Sequence, residues 1–152
     1  MNAYTPLLHI HSTLRYALLL LLVIAIIKAL IGWLSRKEYT KADKTIGTVL
    51  IAVTHVQALI GIILYFVSPF IASILSGGMG EAMKNSGTRF WAVEHFAGML
   101  IAVILITVGR ARSKRIADPV SKHRTLAIFF LIAFALIMYM IPWSERGLFV
   151  GQ

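Results

Sequence analysis

The chain of 152 residues contains no cysteine. That absence excludes disulfides, thiolate metal sites, iron–sulfur clusters and covalent haem attachment through a Cys-x-x-Cys-His motif. Acidic residues are scarce too, six against fifteen lysines and arginines. No His-Glu-x-x-His motif and no paired-carboxylate pattern occurs, so a zinc hydrolase or a two-carboxylate acid–base centre has no sequence support. Charged residues make up 14% of the chain, well below the ~25% of ordinary soluble domains. No repeat, low-complexity tract or soluble domain is recognisable.

What the chain has instead is apolar length. Hydrophobic residues make up 59% of it, and the mean hydropathy is +0.82. Four stretches, Leu14 to Leu34, Ile46 to Val67, Phe90 to Val108 and Leu126 to Trp143, each approach the ~20 residues that cross ~30 Å of hydrocarbon. Segments such as Ala17–Ile27 carry no polar stripe, unlike a helix of a soluble bundle. In lipid the backbone must satisfy its own hydrogen bonds, so the spans are expected to be helices. The expected fold is an all-α, integral membrane four-helix bundle, with residues 1–152 forming one transmembrane domain. The first stretch is too long for a cleaved signal and lacks a small-x-small site behind it. In the longest connection, Ser68 to Arg89, the segment Phe70–Leu75 is expected to form a short interfacial helix before Gly77 and Gly78 break it.

The excess positive charge is unevenly placed. Arg36, Lys37, Lys41 and Lys44 fill the first connection, and Arg110, Arg112, Lys114, Arg115, Lys122 and Arg124 the third. The opposite side carries only Arg15, Lys84, Arg89 and Arg146. Lys28, within the first span, is placed to snorkel toward the first connection. This positive-inside bias puts both termini on the non-cytoplasmic side of a bacterial cytoplasmic membrane. The basic residues are thus accounted for by topology, and no nucleic-acid partner is expected.

All five histidines lie in or beside the spans. His95 is five residues past Phe90, roughly 8 Å inside the non-cytoplasmic boundary at ~1.5 Å per residue. His9 and His11 lie at the start of the first helix near the same boundary, His55 falls near the middle of the second, and His123 begins the fourth. Arg15 follows His11 by four positions and shares its helix face. Glu94 adjoins His95, with Arg89 and Trp91 just above. Charges within spans usually face the protein interior, often beside a ligand. An Arg15–Glu94 ion pair pinning two helices is the structural alternative, and it leaves His11, His55 and His95 unexplained. Gly98 and Ala102 leave low side-chain volume beside His95. The second helix has a small-rich face through Gly47, Thr54, Ala58 and Gly61, a pattern that also serves close helix packing.

Three function classes fit these residues. A b-type haem needs two neutral imidazoles from different helices, with no cysteine. His95 is the first metal ligand, His55 or His11 the opposite one, and Arg15 and Arg89 lie at a depth suited to propionates. A cofactor-free accessory subunit of a larger membrane complex is the second class, its histidines serving as interhelical hydrogen-bond groups. Zinc on His11, His95 and Glu94 is the third. Trp33, Trp91 and Trp143 fall near span ends as an aromatic belt. His123, between Lys122 and Arg124, is expected at the headgroup interface. Quinone binding near Trp91 and His95 is compatible with a haem role.

The segments HSTLRY, THVQALIGIILYFVSP, RFWAVEHFAGMLIAVILITVGRARSK and KHRTLAIFF together resemble a group of small bacterial four-helix membrane proteins of cytochrome b-like character, over nearly the whole chain. More distantly, Glu94–His95 on one helix and a histidine on another are similar to the four-helix halves of haem A synthases. The Glu-x-x-His-Arg pattern of those enzymes is absent, since Glu94 and His95 are adjacent. The expected function is a small b-type cytochrome that passes electrons within a respiratory assembly. The resemblance implies haem ligation by His95 and either His55 or His11. It does not imply haem oxidation chemistry.

Overall fold

A computed structural model describes residues 4–143. Arg146, counted above among the charges of one side, lies outside them. Four helices are long and apolar enough to cross a membrane: Tyr4–Leu34, Lys41–Val67, Ser86–Arg115 and Pro119–Met140. No strand occurs among the described residues, so the all-α fold is observed. The helices run 31, 27, 30 and 22 residues. At ~1.5 Å per residue even the shortest exceeds the ~30 Å hydrocarbon core, and the extra turns extend the helices beyond the apolar stretches.

Local chemistry sets the helix ends. The first helix ends in a left-handed residue, Arg36 at φ 49°, with Lys37 N–H donating to the Gly32 carbonyl at 2.9 Å, the closing bond of a Schellman turn. Thr40 caps the second helix in a capping box with Asp43. The Asp43 carboxylate also takes Lys28 Nζ at 3.1 Å, so Lys28 reaches the first connection as its position in the span suggested. Asn85 Oδ1 accepts from Gly87 N–H at the start of the third helix. Asp118 caps the fourth, with Pro119 in the first turn, where a missing N–H costs nothing. Between the second and third helices runs a short helix, Pro69–Ser76, broken by the Gly77–Gly78 pair, where Gly78 adopts φ 88°.

Each long helix packs on two neighbours. The first touches the second and fourth, and the third touches the fourth and second, with the second–third seam the sparsest. Short connections at 35–40 and 116–118 make the neighbours antiparallel. The fourth helix sits at the centre of the packing, against both the third and the first, and the buried core includes Leu22, Ala25, Ala29, Ala127, Phe130 and Ala133. Leu20, Leu59, Ile63, Ile104 and Ile132 lie exposed on the outer faces. An apolar exterior around a close-packed interior suits a lipid solvent, and the surface is read as one that contacts a bilayer.

Small residues let side chains seat between helices at the basic end. The His123 ring packs onto Gly32, where a Cβ would collide with it. His123 is 2% exposed and lies 5.2 Å from the Tyr39 ring, with Nε2 3.3 Å from the Glu38 carbonyl. It is therefore a buried packing group, not the headgroup residue expected from its basic neighbours. Arg110 is 4% exposed and lies against Gly47. It donates to Tyr39 Oη and the Lys44 carbonyl, both at 3.2 Å, tying the third helix to the first connection. Burial pushes the Tyr39 phenol above its ordinary value, against the opposing pull of Arg110.

Candidate functional site

At the opposite end of the bundle the four helices enclose a cavity of about 470 Å³, within the size range of small-molecule and cofactor sites. Its walls are mainly apolar, and the polar groups on it include His11, Arg15, Thr54, Gln57, Tyr65 and His95. These come from the first, second and third helices.

His95 is delivered by an irregular piece of helix. Residues Phe90–Glu94 form a π-helical stretch in which His95 N–H donates to the Phe90 carbonyl, five residues back. Such insertions are rare and recur at functional sites. Tyr65 Oη donates to the Ala92 carbonyl at 2.7 Å, holding the stretch against the second helix. The Trp91 ring lies 5.5 Å and the Phe90 ring 5.8 Å from His95. Nδ1 of His95 is 2.8 Å from the Met140 carbonyl. A carbonyl only accepts, so Nδ1 carries a proton, and in the neutral ring the lone pair is on Nε2. A carbonyl or carboxylate accepting from one ring nitrogen is the usual arrangement for a metal-ligating histidine.

His11 reaches the same cavity from the first helix, where its ring packs on Gly61 of the second. A Cβ at Gly61 would stand 3.0 Å from His11 Cε1. Gln57 Nε2 donates to the His11 carbonyl at 2.9 Å and fixes the two helices beside this contact. Arg15, one turn along from His11, also lines the cavity and donates to Tyr16 Oη at 2.9 Å.

Of the residues singled out from sequence, His95, His11 and Arg15 are thus brought to one cavity. His55 and Arg89 are not among its lining residues. His55 is on an exposed face with Nε2 3.0 Å from Thr107 Oγ1. Arg89 is 2.6 Å from Glu94 in an ion pair, so the partner Glu94 takes is Arg89 from its own helix. Gly98 does not leave a space beside His95: Met140 fills it, 2.7 Å from where a Cβ would stand. Among the described residues no group of three His, Cys, Asp or Glu side chains is placed to hold a metal, so zinc on His11, His95 and Glu94 is not assembled.

Sequence reasoning did not find the π-helical stretch, the Met140 carbonyl behind His95 or the Tyr65 anchor. Gly61 stood in the small-rich face, but nothing marked it as the seat of His11. No family model, curated protein or solved structure matches the chain.

Proposed function

We propose that this protein is a small membrane b-type cytochrome, with one haem in the cavity between His95 and His11, that passes electrons within a respiratory assembly. The single observation that carries this is the convergence of two imidazoles from separate helices on one apolar cavity, with the bond to Met140 selecting the His95 tautomer whose neutral ring carries its lone pair on Nε2. Haem, when bound, supplies one-electron transfer.

The chain's own residues would do the rest. His95 and His11 would hold the iron, and Arg15 is the cavity's candidate for a propionate. Phe96, Met99 and Ile106 give the walls the apolar character that a macrocycle requires. His55 is left out of the ligand set because it faces away from the cavity, and Arg89 because Glu94 engages it. The charge asymmetry of the connections supports a bacterial cytoplasmic membrane with both termini outside, and the exposed apolar faces leave room for other membrane subunits.

Absorption of the purified protein tests this directly. A Soret band that shifts on reduction is expected, lost in His95→Ala and His11→Ala and kept in His55→Ala. A colourless wild type from haem-replete cells, or an unchanged spectrum in His95→Ala, overturns it. A cofactor-free accessory subunit is the second candidate. The observation favouring it is that His55 and His123 serve as hydrogen-bonding and packing groups between helices.

A further inference from the structure

His55 is a polar side chain that the bundle leaves outside. It lies near the middle of the second helix, yet its ring is exposed on the outer face, where hydrocarbon surrounds a membrane span. Its Nε2 meets Thr107 Oγ1, and Nδ1 has no hydrogen-bond partner among the described residues. Imidazoles within spans usually face the bundle interior or water, because lipid tails offer nothing to replace a lost hydrogen bond. The surface beside the ring is unusual as well. At mid-span the outer faces of the other helices carry Leu20 and Ile24, Ile101 and Ile104, and Leu131 and Ile132. On the second helix Thr48 and Ala52, both exposed, lead up to His55 on the same face. Small residues four apart beside a polar group characterise helices that meet in lipid.

We propose that this face docks a second copy of the chain, with the two second helices side by side and one His55 against the other. Hydrogen-bond polarity and symmetry select the occupant. Copies inserted with the same topology pair about a twofold axis along the membrane normal, so each residue meets the partner at its own depth. Near His55 the outer face of the second helix is otherwise apolar, with Ala52, Val56 and Leu59. A neutral imidazole has one N–H and one lone pair, so two rings satisfy each other through a single N–H···N bond. In one copy the ring stays as it is, with Nε2 donating to Thr107 and Nδ1 accepting. In the other, Nδ1 carries the proton, and the Thr107 hydroxyl turns from the Val103 carbonyl to donate to Nε2. Ala52 and Thr48 allow the two backbones to approach closely enough for this contact. The cavity between the helices takes no part, and pairing does not require haem.

The chain has no cysteine, so cross-linking reads the contact directly. Full-length protein carrying Ala52→Cys should form a disulfide-linked dimer when its membranes are oxidised. Leu20→Cys, at mid-span on the outer face of the first helix, should not. Energy transfer between copies labelled at Lys84→Cys, diluted stepwise in vesicles of neutral phospholipid, gives the dissociation constant of the dimer. His55→Leu should weaken the dimer about threefold, the average worth of a polar pair in membranes. Ala52→Ile, which leaves the His55–Thr107 bond in place, should weaken it about tenfold by overpacking the contact. A monomer at every dilution, cross-linking as strong at Leu20→Cys as at Ala52→Cys, or a dimer that either substitution leaves unchanged overturns the proposal. A chain that pairs only with a different subunit is monomeric here and so counts against it. Ala52→Ile decides alone if His55→Leu does not fold.

Discussion

The tautomer of each histidine follows from what its ring nitrogens meet. His95 donates from Nδ1 to a carbonyl, which in the neutral ring leaves the lone pair on Nε2. For His55 the logic runs through Thr107, whose hydroxyl proton goes to the Val103 carbonyl at 2.7 Å. The Thr107 oxygen must then accept, and His55 Nε2 donates. The bond clips the second helix to the third at their sparsest seam. A double-mutant cycle of His55→Leu and Thr107→Val should therefore show a coupling of about 0.6 kcal/mol in detergent unfolding, the average for polar pairs in membranes. A coupling of zero would mean that the pair does not contribute. His55 was legible as a polar group in mid-span, but the direction it faces was not. Residue count reports depth along a helix and leaves rotation about its axis open.

Among the elements, the apolar runs located the second and fourth helices but not their starts, which lie at Lys41 and Pro119, ahead of Ile46 and Leu126. Thr40 with Asp43 and Asp118 with Pro119 are helix-start signals that the structure uses as such. The Ser121 hydroxyl and backbone N–H, by their hydrogen bonding to the Asp118 carboxyl, hold it below the ordinary carboxylate value of 3.8. A group whose folded-state value is lowered lends stability that is present above its unfolded value and is lost as pH falls through the folded one. The thermal midpoint advantage of the wild type over Asp118→Asn, which still caps but cannot titrate, should accordingly shrink as pH drops below 3.8. A difference that stays constant with pH would show that this carboxylate's charge does not matter. The π-helical stretch was the least readable element. Phe90–Glu94 has no composition cue, and the extra residue per turn depends on Tyr65 and the neighbouring helices to hold it.

For the whole molecule, one end of the bundle is packed solid and the other encloses a cavity. At the packed end Gly32 and Gly47 admit His123 and Arg110 between helices. At the other, His11, Arg15 and His95 line a cavity between the helices. Orientation in the membrane is open to a clean experiment because the chain has no cysteine of its own. Single cysteines at the exposed positions Lys37 and Lys84 should react with an impermeant maleimide from opposite sides. In intact spheroplasts Lys84→Cys should label and Lys37→Cys should label only after permeabilisation. The reverse pattern would overturn the positive-inside orientation.

By itself the sequence determined that this is a bundle of four membrane-length helices with basic residues gathered at one end. Apolar run length and charge placement are one-dimensional quantities, and the bilayer turns them directly into spans. Which imidazoles meet was decided only in three dimensions. His11 and His95 share a cavity while His55 turns outward, because helix pairing, the Gly61 seat and the irregular turn before His95 set each ring's azimuth. Those contacts join residues far apart in the chain, and no local pattern encodes them.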